Sequence, residues 1–248
     1  MTESIFPIII LNGRPAAGKS ELLDYLRKLP DDVRRSRFHI GQMHEVDDFP
    51  MLWTWFEEDD LLQNRFDLPR LHSTPDSYFL SVEMWHLLIE RLSLEYAKLV
   101  RNDPDLHQTH TILIEFSRGS EHGGYRDAYP HLSDTILDNG AILYIDVPFE
   151  ESLRKNRRRF NPDKPDSILE HGLPDSKLER MYKAVDWAEV TAENPEMVDI
   201  RGHRVPYAVF HNHDDVTTTL GPVFEQRLED TLGALWQRWT QHQSNQHK

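Results

Sequence analysis

A glycine loop near the start of the chain limits the fold and the chemistry more than any other feature. Residues 13–20 match the spacing G-x-x-x-x-G-K-[ST], and they follow an apolar run, Ile-Ile-Ile-Leu, at residues 8–11. Glycine permits backbone angles closed to other residues, so such a loop can turn its N–H groups toward phosphate oxygens. The pattern predicts a triphosphate site formed by Gly13, Arg14, Pro15, Ala16, Ala17, Gly18, Lys19 and Ser20.

The last two loop residues carry the polar side chains of this predicted site. Lys19 can reach the outer phosphates, and the Ser20 hydroxyl can be a ligand of Mg²⁺. An ordinary glycine turn is the alternative. The strand-like run before the loop and the helical pattern after it favour the phosphate site.

Short apolar runs alternate with helical patterns along the rest of the chain. This alternation predicts an α/β three-layer α/β/α sandwich with a parallel sheet, and the length fits a single domain over residues 1–248. Ligands of such folds bind at the carboxyl ends of the strands. The predicted strands are 8–11, 37–41, 111–116, 142–147 and 207–211. The predicted helices are 20–29, 76–100, 125–138, 150–160, 176–192 and 224–241.

Two charged residues stand at the end of the third predicted strand. Glu115 there can hold Mg²⁺ or activate a hydroxyl, and Arg118 can neutralise charge on a transferred phosphoryl group. A structural ion pair between Glu115 and Arg118 is the alternative interpretation.

Five basic residues crowd the helix predicted after the fourth strand. Arg154, Arg157 and Arg158 share one face by their spacing, and guanidinium groups suit phosphate oxygens. We expect them to bind the nucleotide from a lid at about residues 154–175. A solvated basic face paired with Glu150 and Glu151 is the alternative.

The segment at about residues 44–75 is expected to be an insertion that binds the acceptor. Asp47 is a candidate catalytic base, and Glu45, Asp48 and Trp53 are candidates for acceptor binding. An acidic surface loop beside core aromatics is the alternative. The His and Asp residues at 211–215 fit either a loop beside the nucleotide base or a metal site, and the sequence favours the loop.

Composition excludes several kinds of site. The chain has no cysteine, so disulfides and thiolate metal sites are impossible. A formal net charge of −14 argues against general nucleic-acid binding. No signal-peptide pattern and no membrane-length apolar stretch occurs, so we expect a cytoplasmic protein that could form a homodimer.

Taken with the glycine loop, three segments make the chain resemble the P-loop kinases of the nucleoside and nucleotide kinase group. Residues 115–118 look like the family's Glu-Arg-Ser motif in a different order. Residues 144–154 are similar to its strand-to-lid segment, and Glu45 to Trp53 loosely resembles its nucleoside-holding segment. The resemblance implies a five-stranded sheet ordered 2-3-1-4-5, with ATP and Mg²⁺ as cofactors.

The sequence therefore predicts an ATP-dependent phosphotransferase acting on a nucleoside, a nucleotide or another small hydroxyl or phosphate acceptor. An ATP-binding regulator or scaffold that phosphorylates no metabolite is the alternative. A regulator that binds GTP is disfavoured, because the chain has no Asn-Lys-x-Asp tetrapeptide to recognise guanine.

Overall fold

A six-stranded sheet forms the centre of the fold. In the computed structural model, residues 5–159 and 173–246 are described. The spatial order is β2-β3-β1-β4-β6-β5, and every neighbouring pair is parallel except β5 with β6. The strands are β1 (Ile8–Gly13), β2 (Gln42–Asp47), β3 (His110–Phe116), β4 (Gly140–Asp146), β5 (Met197–Ile200) and β6 (His203–His211).

Helices cover both faces of the sheet. The α-helices are α1 (Lys19–Lys28), α2 (Asp31–Phe38), α3 (Asp48–Phe66), α4 (Glu83–Asn102), α5 (Gly124–Ala128), α6 (Asp134–Asn139), α7 (Phe149–Arg159), α8 (Asp175–Tyr182), α9 (Trp187–Val190), α10 (Val216–Thr219) and α11 (Pro222–Gln246). Three 3₁₀ turns lie at Leu106–Gln108, Ser120–His122 and Tyr129–His131. Among the described residues, no helix is both long and apolar enough to cross a membrane.

The two faces of the sheet carry separate hydrophobic cores. Successive strand side chains point to opposite faces, so Ile8 and Ile10 pack with α4, α5 and α6, whereas Ile9 and Leu11 pack with α1, α2 and α11. All six residues of β1 are buried. The sequence of a central parallel strand is therefore a nearly continuous apolar run, because helices cover both faces of the sheet.

The sheet corrects the predicted strand count and order. A sixth strand, β5, lies antiparallel at the edge beyond β6. Ile200 pairs with His203 across a two-residue turn of Arg201 and Gly202, whose φ angles are 53° and 86°. Two positive φ values in a row are the geometry of the turn that joins antiparallel strands tightly.

The second strand also lies elsewhere than predicted. Residues 37 and 38 end α2, and β2 begins at Gln42. The expected insertion at 44–75 is largely the 19-residue helix α3, whose N-cap is Asp47. The predicted helix 76–100 begins at Glu83, and 125–138 is divided into α5, a 3₁₀ turn and α6, with the extended residues Leu132 and Ser133 before α6. Residues 176–192 likewise form two helices, α8 and α9.

Candidate functional site

The glycine loop joins β1 to α1 in a conformation that only glycine tolerates at two positions. Gly13 has a φ of 149° and Gly18 a φ of 108°. A Cβ on Gly18 would lie 2.5 Å from the Thr217 Oγ1, which leaves no room for a side chain. The N-cap of α1 is Gly18, which makes no side-chain capping hydrogen bond, and the N-terminus of a helix favours a bound anion.

Side chains from three distant elements hold this loop. Gly13 donates its N–H to the Tyr125 hydroxyl at 3.1 Å. The Ser152 hydroxyl donates to the Pro15 carbonyl at 2.7 Å, and the Asn212 amide donates to the Ala17 carbonyl at 2.8 Å. These three side chains were not predicted from the sequence, because no local pattern marks a residue whose partner is more than 100 positions away.

The Arg14 guanidinium contacts backbone carbonyls outside the glycine loop. It donates to the carbonyls of Val147, Tyr182 and Lys183 at 2.8–3.1 Å. Arg14 therefore ties the loop to the segments after β4 and α8, and its contact with a nucleotide stays a prediction.

Lys19 is the cation at the centre of the candidate site. Its side chain is 7% exposed, and Nζ donates to the carbonyls of Gly13 and Arg14 and to Ser117 Oγ at 3.3, 3.1 and 2.9 Å. The Glu115 Oε1 lies 3.7 Å from the same nitrogen. Lys19 thus bridges the loop and the end of β3, and the alternative interpretation, a Glu115–Arg118 ion pair, is wrong: Glu115 pairs with Lys19 and Arg118 with Asp48.

Asp47 places a second carboxylate beside Glu115. The two residues are register partners on the neighbouring strands β2 and β3. Asp47 also accepts the Phe49 N–H at 3.0 Å as the N-cap of α3. Burial, followed by the charges of Glu115 and Asp48, raises the pKa of Asp47 to about 8. Asp47 therefore titrates near neutral pH, in the range suited to a general base.

The acidic pair and the Ser20 hydroxyl suit a magnesium ion chemically. Ser20 is exposed on the first turn of α1, next to Lys19. Mg²⁺ prefers oxygen ligands, and carboxylate and hydroxyl oxygens are the donors present. Repulsion between Glu115 and Asp47 contributes to the raised pKa, and a bound cation would relieve it.

The Arg118 side chain is buried and pairs with Asp48. Its Nη1 donates to the Asp48 Oδ2 at 2.6 Å, and its Nη2 donates to the Trp85 carbonyl at 3.1 Å. The two charged side chains are 1% and 9% exposed. In this structure Arg118 and Asp48 form a buried ion pair, and their predicted roles in catalysis and acceptor binding stay predictions.

The other acceptor candidates lie apart from Lys19. Glu45 is ion-paired with Arg27, eight residues after Lys19 and so about 12 Å further along α1. Trp53, on α3, packs edge-on against Phe49 and Phe56 with ring centroids 6.0 and 6.1 Å away. The structure does not bring either residue into the group formed by Lys19, Glu115 and Asp47.

The arginine helix is α7, and its Arg154 and Arg157 are engaged with carboxylates. Arg154 donates to Glu151 and Asp215, and Arg157 donates to Asp175. These pairs agree with the alternative interpretation, a basic face matched by acidic residues. Arg158 is exposed, and residues 160–172 of the expected lid lie outside the described residues.

Lys155 is the cation of α7 that comes near the glycine loop. Its side chain is 5% exposed, and Nζ donates to Asp215 at 2.8 Å and to Thr217 Oγ1 at 2.9 Å. The same threonine oxygen limits the space at Gly18. Lys155 belongs to the same basic run but was not predicted as a site residue, because it does not share the helix face of Arg154, Arg157 and Arg158.

Comparison with known proteins yields a distant structural likeness. No protein-family model matches the chain, and no curated protein matches it. Among solved structures, the chain is similar to the crystal structure of TT1252 from Thermus thermophilus, with a TM-score of 0.44 and 16% sequence identity. The match covers 94% of this chain and 97% of the other. Any function must therefore be argued from the geometry of the site.

Proposed function

We propose that the chain is an ATP-dependent phosphotransferase of the P-loop kinase type, acting on a small hydroxyl or phosphate acceptor such as a nucleoside or nucleotide. The observation that supports this most is the position of the Lys19 Nζ. It lies between the carbonyls of the glycine loop and the Glu115 carboxylate, 3.7 Å from Oε1. Phosphate oxygens are stronger partners for an ammonium group than loop carbonyls, because the hydrogen bond is then charge-assisted at both ends.

The roles of the chain's residues follow from this arrangement. The loop N–H groups and Lys19 hold the β- and γ-phosphates. Ser20 and Glu115 would hold Mg²⁺, which would neutralise charge that develops on the transferred group. Lys155 adds positive charge beside Gly18, taking the place that the sequence analysis gave to the arginines.

Asp47 is the residue that we assign to the acceptor's proton. It stands at the end of β2 next to Glu115, and its raised pKa lets it accept a proton near neutral pH. A hydroxyl acceptor needs such a base, whereas a phosphate acceptor is already ionised. Loss of activity on replacing Asp47 would therefore favour a hydroxyl acceptor.

Labelled ATP incubated with a panel of nucleosides, nucleotides and other small metabolites tests the proposal. We expect label transfer by the wild type and none by Lys19→Ala. Lys28→Ala is the matched control, because Lys28 lies on the same helix in an exposed pair with Asp24. The proposal fails if no panel member is labelled while ATP binds tightly, or if Lys19→Ala keeps full activity.

An ATP-binding regulator that transfers no phosphate is the second candidate. It is favoured by one observation, the commitment of Arg14 and Arg118 to other partners, because phosphoryl transfer commonly uses an arginine at the reacting phosphate. ATP hydrolysis measured with and without the acceptor panel separates the two functions. A kinase is stimulated by its acceptor, and a regulator shows the same slow rate throughout.

A further inference from the structure

Two histidines and an aspartate meet at the ends of β4 and β6. The His213 Nε2 lies 2.7 Å from the Asp146 Oδ2, and the His211 Nδ1 lies 3.2 Å from the same oxygen. The three potential ligand atoms all lie within 4.8 Å of one another. In tetrahedral zinc sites, bonds of about 2.0–2.2 Å place ligand atoms about 3.3 Å apart. Small side-chain rotations would therefore bring these three atoms around one ion.

The backbone fixes the three residues relative to each other. Asp146 and His211 are register partners in the parallel pair β4–β6. The Asn212 N–H donates to the Asp146 carbonyl at 2.8 Å, and the Asn212 side chain is anchored on the glycine loop. His213 follows directly from this anchored residue. The cluster thus stands on strand ends and not on a freely moving loop.

There is space for a cation beside the cluster, and the nearby charges do not repel one. A cavity of about 370 Å³ lies beside it, lined by His211, His213, Asp214 and Arg227 among others. The Arg227 charge is matched by Asp214, to which it donates twice, at 2.6 and 2.8 Å. The whole chain carries a formal net charge of −14. Electrostatics therefore do not oppose a divalent ion here.

We propose that Asp146, His211 and His213 form a binding site for a transition-metal dication of the Zn²⁺ type. Imidazole nitrogens select zinc and its neighbours over Mg²⁺, which prefers oxygen ligands. Three protein ligands, with exposed fractions of 31%, 66% and 55%, leave the remaining coordination position open to water or a small anion. The site is separate from the magnesium ligands, because β4 and β3 flank β1 on opposite sides.

Calorimetric titration of the full chain with ZnCl₂ alone tests the site. We expect one Zn²⁺ per chain in the wild type, and a Kd raised at least about tenfold in His211→Ala and in His213→Ala. The matched control is His203→Ala, because His203 also contacts carboxylates, Asp134 and Asp138, but without a second histidine. Circular dichroism checks that the variants are folded, which is expected because the two substituted histidines are exposed.

A competition experiment distinguishes this site from the carboxylates beside Lys19. Excess Mg²⁺ should leave the bound Zn²⁺ in place, since Mg²⁺ does not compete for imidazole ligands. Unchanged Zn²⁺ binding in the double variant His211→Ala/His213→Ala would overturn the proposal. The proposal would also be overturned if the wild type bound no Zn²⁺ at micromolar concentration. The histidines would then serve only to hydrogen-bond Asp146.

Discussion

Replacing Asp48 with alanine should destabilise the fold strongly, because it leaves the Arg118 charge in the interior without a counter-charge. The Arg118 side chain is 1% exposed. Its other acceptors are neutral: the Ser117 carbonyl at 2.7 Å and the Trp85 carbonyl at 3.1 Å. Breaking a buried ion pair from one side costs about 3–5 kcal/mol. In a protein of this length each kcal/mol lowers Tm by about 2–4 °C, so we expect a loss of about 6–20 °C.

Urea unfolding followed by circular dichroism measures this free energy. The matched control is Glu229→Ala, which removes the partner of Arg37 from a pair whose side chains are 38% and 35% exposed, and it should cost about 1 kcal/mol or less. The double variant Asp48→Ala/Arg118→Met should recover part of the loss, since no buried charge then remains. If Asp48→Ala costs no more than Glu229→Ala, or if the double variant is worse than the single one, the buried-pair argument is wrong.

Four further variants follow: three probe the glycine loop and the acidic pair, and Gly202→Ala is a control in the turn between β5 and β6. Since the pKa of Asp47 is raised to about 8, kcat/KM with a hydroxyl acceptor should rise with pH toward that value, and Asp47→Asn should abolish the rise. Gly18→Ala places a Cβ 2.5 Å from a hydroxyl oxygen at a φ of 108°, so it should weaken ATP binding and destabilise the fold by about 2–4 kcal/mol. Gly202→Ala, at a φ of 86° in open space, should cost about 1–2 kcal/mol and leave binding intact. Tyr125→Phe removes the acceptor of a buried loop amide and should cost about 1–3 kcal/mol in urea unfolding.

Stability should also depend on the ionisation of Asp47. A carboxyl whose folded pKa lies above its unfolded value stabilises the fold at low pH. That contribution is lost as the pH rises from about 4 to about 8. The free energy of unfolding of Asp47→Asn should therefore fall less over this range than that of the wild type, and equal slopes would contradict the raised pKa.

The sequence located the buried strands well but misplaced β2. Central strands show apolar runs, whereas β2 lies at the sheet edge with Gln42, His44 and Glu45 exposed and therefore has none. The apolar residues at 38 and 40 looked like a strand, but Phe38 ends α2 and packs in the core. Asp47, the N-cap of α3, is a residue type that N-caps prefer, so the start of this helix could have been predicted from the sequence.

Local pattern indicated which residues stand at the strand ends, but not which way they point. Glu115 stands near the end of β3, and Lys19 follows the loop at the end of the neighbouring strand β1. The sequence pattern predicts both strands, so it predicts that these two residues lie at the same edge of the sheet. The direction of Arg118 depends on Asp48, 70 residues earlier, and on the packing of Trp85. Such a long-range choice is decided by tertiary contacts, which a single sequence does not display.

The hydrogen bonds around the glycine loop have a thermodynamic consequence. Gly13, Pro15 and Ala17 are each fixed by a side chain from another element, and Arg14 ties the loop to three more carbonyls. An anion that binds there would find the loop already ordered, so little conformational entropy would be lost. Binding should then proceed at a rate set by diffusion and charge and not by loop closure. Hydrogen exchange of the Gly13 and Ala17 amides, which donate to the Tyr125 hydroxyl and the Arg14 carbonyl, should be slow even in the protein without ligand.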